Sequence, residues 1–421
     1  MTKDVSAIVL AAGKGTRMKS SLPKVLHSLC GMPLIYYSLE VLKSSQPIKK
    51  IVVVTGFAKD KVRAEVNRLF KGVTFSVQKK LNGSAKAVES ALSLIKSRQV
   101  LIMCADSPLL DKRSVSQALR AHIKSGNDCT VLTKRTDAPK GLGRIIRDSN
   151  RNILEIREQA MLSPAQKKID EVNTGIYVFK TETLKKYIGK IEVNSSKKEY
   201  FLTDIVAFLI SAKLRVRTVN IGKDCFYFSV NNLRDLIKAE RLVRMYLIDK
   251  LIDKGVRVID PETTFLGPKT VVGKNSLIYP FTFLENNVKI GTSCSVGPFA
   301  RVREGTVIRD NSHIGNFAEI VRSKVAENVK MKHFSYLGDT EVGSGVNIGC
   351  GTVVANFDGK KKNKTKIKKG AFIGSDSILV SPVVIGRDAL TGAGSVVTRD
   401  VRDKTVVIGV PAKELKARKD V

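Results

Sequence analysis

Apolar and polar positions along this chain follow two different rhythms. Over roughly the first 228 residues, short apolar runs such as "VSAIVLAA", "KIVVVTG", "VTFSVQ" and "QVLIMCA" alternate with segments of helical spacing at 33–44, 59–70, 84–96 and 113–125. Apolar runs of that length next to turn residues predict buried strands, and their alternation with helices predicts βαβ units in a mostly parallel sheet. Later strand candidates at 141–147, 153–157 and 172–179 read as an insertion that covers the sheet. A helix is expected over 232–254, with Leu233, Ile237, Leu242, Met245, Ile248 and Leu251 as its apolar stripe. It serves either as a packed helix or as a spacer.

After Gly255 the rhythm changes. An aliphatic residue recurs every six positions at Val272, Ile278, Leu284, Ile290, Val296, Val302, Ile308, Ile314 and Ile320. The period resumes at Val342, Ile348 and Val354, and again from Ile367 through Ile373, Leu379, Ile385 and Thr391 to Val397. Ordinary strands repeat every two residues and helices every 3.6, so a strict six predicts a parallel β-helix whose sides each bury one aliphatic residue. Two stretches leave the period, 323–337 with His333 and the very basic 355–366, "ANFDGKKKNKTK". Both are expected as surface insertions, which in solenoids often lie on the binding face.

Composition narrows this picture. A length of 421 residues allows two or three domains, and 43% apolar content is that of a globular chain. No apolar run approaches the ~18 residues of a membrane helix, and the apolar N-terminal run leads into a glycine turn rather than a cleavage site, so a cytoplasmic protein is expected. Cys30, Cys104, Cys129, Cys225, Cys294 and Cys350 form no C-x-x-C pair and read as reduced structural thiols. The net charge of +34 permits nucleic acid, anionic membrane or anionic small molecules as partners. The lysines are dispersed, without a nucleic-acid motif or aromatic interleaving, and nucleic-acid binding is not expected.

The first strand runs into "VLAAGKGTRMKSSLPK". Glycines let backbone N–H groups approach an anion closely, and Lys14, Arg17 and Lys24 supply positive charge, so the turn suits a phosphate group. It fits neither the G-x-x-x-x-G-K-[ST] loop nor G-x-G-x-x-G, because Met18 stands at the third glycine position. Its place at the carboxyl end of a strand is where α/β sheets bind ligands.

"LAAGKGTRMKSSLPKVLH" followed by a hexapeptide β-helix resembles the bacterial bifunctional enzymes of UDP-N-acetylglucosamine synthesis. "GNFAEI", "HFSYLGD" and "NIGCGTVVANFDG" carry the resemblance into the second half. It implies an α/β fold class: a Rossmann-like nucleotidyltransferase domain at 1–228, a linker helix at 229–254, and a left-handed parallel β-helix acetyltransferase domain at 255–421, shorter than usual by roughly two coils. The implied reactions are acetyl transfer from acetyl-CoA to glucosamine 1-phosphate, then uridylyl transfer from UTP to N-acetylglucosamine 1-phosphate with release of pyrophosphate. A uridylyltransferase whose β-helix serves only trimerisation is the alternative.

The resemblance also assigns residues. Leu10, Ala11, Ala12, Gly13, Gly15 and Lys24 would cradle the triphosphate, with Arg17 and Lys24 neutralising charge, and Gln78, Gly83 and Ser84 would read the uracil. Asp106 and Asn231 resemble Mg²⁺ ligands, and Asn231 joins Gly143, Glu158 and Asn173 on the sugar side. His333 takes the position of the general base, with Glu319 to orient it. Arg303, Tyr336, Asn347 and Lys362 resemble substrate contacts, Asn356 and Ser375 would hold the tetrahedral intermediate, and Ala393 would lie near the CoA arm. The run 360–369 either attracts CoA or is a solvated basic loop. The chain departs from the pattern at Val321, where the family has a phosphate-binding lysine and Arg322 is the nearest replacement. It departs again at Phe357, in place of tyrosine, and at a C-terminal "VIGVPAKE" without the family's arginine. A homotrimer is implied by the resemblance alone.

Overall fold

The computed structural model describes residues 4–194, 198–222 and 227–417. It divides into two compact units, Met1–Leu29 with Pro33–Ala239, and Glu240–Val421 with Cys30–Met32. The division falls inside the helix Leu233–Ile252, which the sequence pattern had set apart as a separate segment.

The first unit is built on a nine-stranded sheet. Val5–Ala11 lies at its middle, parallel to Ile48–Thr55 on one side and to Gln99–Cys104 on the other. The apolar side chains of these runs are buried, as strands covered on both faces require. The helix Lys112–Ser125 shows how local signals set an end: Asp111 accepts from Ser114 N at 2.7 Å, and Gly126 closes the helix at φ 61°. The expected covering insertion is different in fact. Glu171–Lys180 is an internal strand, antiparallel to both Gln99–Cys104 and Cys129–Arg135. Its residues are buried at nine-tenths or more along most of their length, which is the burial of a central strand rather than of a flap. Only the hairpin Arg144–Arg147 and Ile153–Arg157 lies off the main path, held to Glu171 by Arg147 at 2.6 Å.

The second unit is a parallel β-helix of three stacked sheets with ten, eight and seven strands. The first sheet runs from Arg257–Val258, the second from Phe265–Leu266 and the third from Val271–Val272, each chain turn adding one strand to each. Every aliphatic position of the six-residue series is buried. The stretch 323–337 is not an insertion. Val325, Met331 and Leu337 continue the buried column, and the frame shifts because Ile320 to Val325 and Leu337 to Val342 are five residues apart instead of six. Both short sides turn from the second sheet to the third, at Arg322 (φ 49°) and Asp339 (φ 52°). The left-handed residue stands two positions after the buried aliphatic there, instead of three as at Asn287 and Gly305 on the six-residue sides of the same corner, and the strands stay in register, Glu319 on Tyr336 and Lys324 on Glu341. The next side at the same corner, Val354 to Ile367, carries the expected basic loop, closed by a bridge between Phe357 and Lys362.

Candidate functional site

In the first unit the glycine turn leaves Val5–Ala11 and doubles back so that Gly15 packs on Lys24. Gly15 has φ 65°, and a Cβ there would stand 2.6 Å from Lys24 Cβ, so this approach needs glycine. Gly13 faces open space, with nothing within 4 Å of a built Cβ. Ala12 O accepts from Phe57 N at 3.0 Å and Leu10 O from Ala105 N at 3.1 Å, which ties the cradle to the two neighbouring strands.

The sheet then gathers residues distant in sequence. Lys24 Nζ donates to Asp106 Oδ2, and both side chains are largely buried. Val230 N donates to Asp106 O at 3.0 Å, which carries Asn231 to the same place. Arg17 Nη2 donates to Asn231 Oδ1 at 2.9 Å. The two oxygens implied as metal ligands are thus each held by one of the two implied catalytic cations. Beside Asp106, the half-buried Cys104 and Tyr227 are shifted: desolvation, with the Asp106 charge second, pushes the Cys104 thiol up to about 12 and raises the Tyr227 hydroxyl as well. One carboxylate and one amide oxygen suit a magnesium ion that also takes phosphate oxygens and water. No group of three or more His, Cys, Asp and Glu able to hold a metal exists among the described residues.

The other predicted residues of this half fall into two clusters. Gln78 Nε2 donates to Gly83 O at 3.0 Å, which fixes the amide and leaves its oxygen and its second N–H to meet a ligand. Gly83 sits at φ 120° with its Cβ position 2.3 Å from Tyr200 O, and Ser84 Oγ accepts from Leu202 N at 2.9 Å. On the sugar side, Asn173 N donates to Gly143 O at 2.9 Å, and Asn173 Nδ2 donates to Tyr177 Oη at 2.7 Å. Glu158 Oε1 accepts from Thr203 Oγ1 at 3.1 Å. Asp204 follows, its carboxyl pushed up to about 6 by burial and by the charges of Glu158 and Glu155. Thr203, Asp204 and Tyr177 were missed from the sequence. The only signal for the first two was a Thr-Asp pair opening the helix Asp204–Ser211.

In the second unit the register gathers the residues. His333, Ser375 and Ala393 each lie two positions beyond a buried residue of the first sheet, Met331, Ile373 and Thr391, and therefore line one edge of the β-helix with Cys350 between His333 and Ser375. Arg303, Glu319 and Tyr336 belong to successive turns of the second sheet, and Asn347 to the first. Glu319 Oε1 accepts from Arg303 Nη1 at 2.9 Å, whereas the His333 ring is exposed and has no hydrogen bond among the described residues. Glu319 is thus committed to Arg303 and does not hold His333. Two of the other three histidines differ: His122 is buried between Thr130 and Gln99 at 2.9 and 2.8 Å, and His313 contacts Ser295 at 2.7 Å.

At the corner of the two short sides stands a polar stack. Arg322 donates twice to Asp339 at 2.7 Å, and Asn356 Nδ2 donates to Asp339 Oδ2 at 2.6 Å. The Arg322 guanidinium, charge-paired and hydrogen-bonded, holds the Asp339 carboxyl below its usual range. Val321 beside it is buried, so Arg322 is bound where the expected lysine replacement was needed. Lys362 Nζ lies 4.3 Å over the exposed Phe357 ring. Five cysteines are free thiols, and Cys225 lies outside the described residues. No helix among the described residues is long and apolar enough to cross a membrane.

Comparison with known proteins agrees with both halves. A nucleotidyl transferase family matches residues 6–242, and the bacterial transferase hexapeptide (six repeats) matches 364–399. The chain is 37% identical over 438 residues to the bifunctional protein GlmU of Carboxydothermus hydrogenoformans, covering 96% of this chain and 97% of that one. It is 39% identical over 437 residues to the protein of the same name from Thermotoga petrophila, covering 96% of each, and 38% identical over 415 residues to that of Pelotomaculum thermopropionicum, covering 90% of each. With a nucleotide cradle on a Rossmann-like sheet and a hexapeptide β-helix after it, the chain belongs to the bifunctional GlmU family, which joins a uridylyltransferase to an acetyltransferase.

Proposed function

We propose that the chain acetylates glucosamine 1-phosphate from acetyl-CoA in its second unit and transfers a uridylyl group from UTP to N-acetylglucosamine 1-phosphate in its first. The observation that carries the uridylyl half is the pair of contacts Lys24–Asp106 and Arg17–Asn231 at the mouth of the glycine turn. Phosphoryl-type transfer needs positioned charge more than covalent help. When UTP enters, Arg17 and Lys24 leave their protein partners for the phosphates, and the sugar phosphate attacks the α-phosphorus as pyrophosphate departs. Asp106 and Asn231 would hold a magnesium ion, which would supply charge neutralisation at the triphosphate. Gln78 and Gly83 take the uracil, and Gly143, Glu158 and Asn173 orient the sugar.

In the second unit the exposed His333 ring is free to take a proton from the sugar amine as it attacks the thioester. One N–H of Asn356 Nδ2 is given to Asp339, which orients the amide, and Asn356 with the Ser375 backbone holds the tetrahedral intermediate. Arg303 and Lys362 take the sugar phosphate that the family's missing lysine holds elsewhere. A homotrimer is supported by a ladder of exposed rings, Phe281 on Phe299 at 4.8 Å and Phe299 on Phe317 at 5.1 Å, along the edge that carries His333.

Pyrophosphate release from UTP with N-acetylglucosamine 1-phosphate, and thiol release from acetyl-CoA with glucosamine 1-phosphate, test the two halves on one preparation. Both are expected. Buried Val321 and the engaged Arg322 favour a second reading, uridylyl transfer on a structural β-helix, and pyrophosphate release without thiol release would establish it.

A further inference from the structure

Apart from the strand Thr365–Ile367, which lies in the basic run 360–369, the third sheet of the β-helix carries none of the residues assigned to acetyl transfer, yet it holds a concentrated cluster of positive charge. A groove of about 640 Å³ opens on it, lined by Arg309, Lys324, Lys366, Lys368, Lys369 and Arg387 against a single carboxylate, Glu341. The cations come from adjacent rungs and from the corner beside them: Lys324 pairs with Glu341 and Glu341 with Lys366, and rungs stand about 4.8 Å apart. Gly343 makes the concavity, because a Cβ there would lie 2.5 Å from Lys369 N and would push the Lys368–Lys369 turn outward.

A dispersed charge of +34 places lysines on every face, but it does not explain a concave cluster left without counterions. Among the described residues only Lys368 of the six is in an ion pair, with Asp403 at 3.1 Å, and Asp403 also accepts from Arg387 N at 2.7 Å. Gathering five further cations without partners costs repulsion that a bound polyanion removes. The volume suits a small ligand. The lining has no aromatic ring on which a base would stack, which argues against single-stranded nucleic acid.

We propose that this groove binds a small anion carrying several adjacent phosphates, at a site separate from both reaction centres. The shared chemistry belongs equally to a short inorganic polyphosphate and to the triphosphate arm of UTP, and the test separates them. Tripolyphosphate is titrated by calorimetry into the full chain, into Lys324→Glu/Arg387→Glu, and into Lys24→Ala, which weakens the triphosphate cradle. Two binding events are expected in the wild type. The charge-reversal variant loses the more salt-sensitive event, weakening it by about tenfold or more, and Lys24→Ala keeps that event. The milder Lys324→Gln/Arg387→Gln variant weakens it by less and guards against misfolding, with unchanged thermal unfolding as the check.

Tripolyphosphate competing with UTP for the salt-sensitive event would name the nucleotide as occupant, and no competition would name polyphosphate. Retention of both events in both groove variants would overturn the proposal. So would orthophosphate binding as tightly as tripolyphosphate, single-stranded RNA binding more tightly than either, or a raised KM for acetyl-CoA in the groove variants, which would make the groove part of the acyl-donor site.

Discussion

The two halves of this chain assemble their sites by opposite means. In the first unit, Arg17, Lys24, Asp106 and Asn231 lie far apart in sequence and meet because a central strand and its neighbours end together. They meet as partners, so each charged or polar group that substrate needs is already engaged with another. In the second unit, His333, Ser375 and Ala393 meet because a repeat returns the chain to the same edge, and His333 arrives with no partner. Topology builds a resting site of mutually engaged side chains in one half. Periodicity builds an open one in the other. Substrate binding in the first half is therefore expected to break the Lys24–Asp106 ion pair and the Arg17–Asn231 hydrogen bond, whereas His333 in the second is expected to gain a contact without losing one.

The largest effects should split the halves cleanly. His333→Ala is expected to lower acetyl transfer by about 10²–10⁴-fold while pyrophosphate release stays at the wild-type rate. Lys24→Ala or Asp106→Asn should lower uridylyl transfer by about 10²–10³-fold and leave thiol release alone. Steady-state assays of both activities on each variant check the pair.

A smaller effect tests the closed cradle. Gly15→Ala combines a left-handed φ with a Cβ 2.6 Å from Lys24, so it should displace Lys24 and raise KM for UTP more than it changes thermal stability, where the left-handed cost is about 1–2 kcal/mol. Asp339→Asn should loosen Asn356 and lower acetyl kcat by about tenfold, with KM for acetyl-CoA unchanged. An unchanged kcat would show that the corner stack is only structural.

The smallest effect concerns pH. Asp204 has its carboxyl raised from 3.8 to about 6, so over that window the folded chain binds more protons than the unfolded one. Its contribution to stability is therefore full below the window and lost as pH rises through it. Asp204→Asn should flatten the fall in unfolding midpoint of the first unit across this window, measured by calorimetry at several pH values.

Much of this was legible in the sequence because periodicity and punctuation are local. The six-residue series named the buried column from Val272 to Val397, and the glycine turn after the first strand named the cradle. What was not legible depends on pairing between distant segments. Nothing in "EVNTGIYVFK" says that Glu171–Lys180 inserts as an internal antiparallel strand. The shifted frame at 323–337 was mistaken for an insertion, because a five-residue side with a left-handed corner keeps the strands stacked while breaking the count. The Glu319 side chain was assigned to His333 by position, and Arg303 on the neighbouring rung claims it instead. The Arg322–Asp339–Asn356 stack has an even spacing of 17 residues, one short of three six-residue sides, so a strict count of six passes over it.

Two chemistries on one chain, each dependent on its own residues, should separate by mutation. Thiol release from acetyl-CoA with glucosamine 1-phosphate and pyrophosphate release from UTP with N-acetylglucosamine 1-phosphate, measured side by side for the wild type and His333→Ala, test it most directly. The account predicts both activities in the wild type and loss of thiol release alone in the variant. Equal thiol release from the variant, or none from the folded wild type, would contradict it.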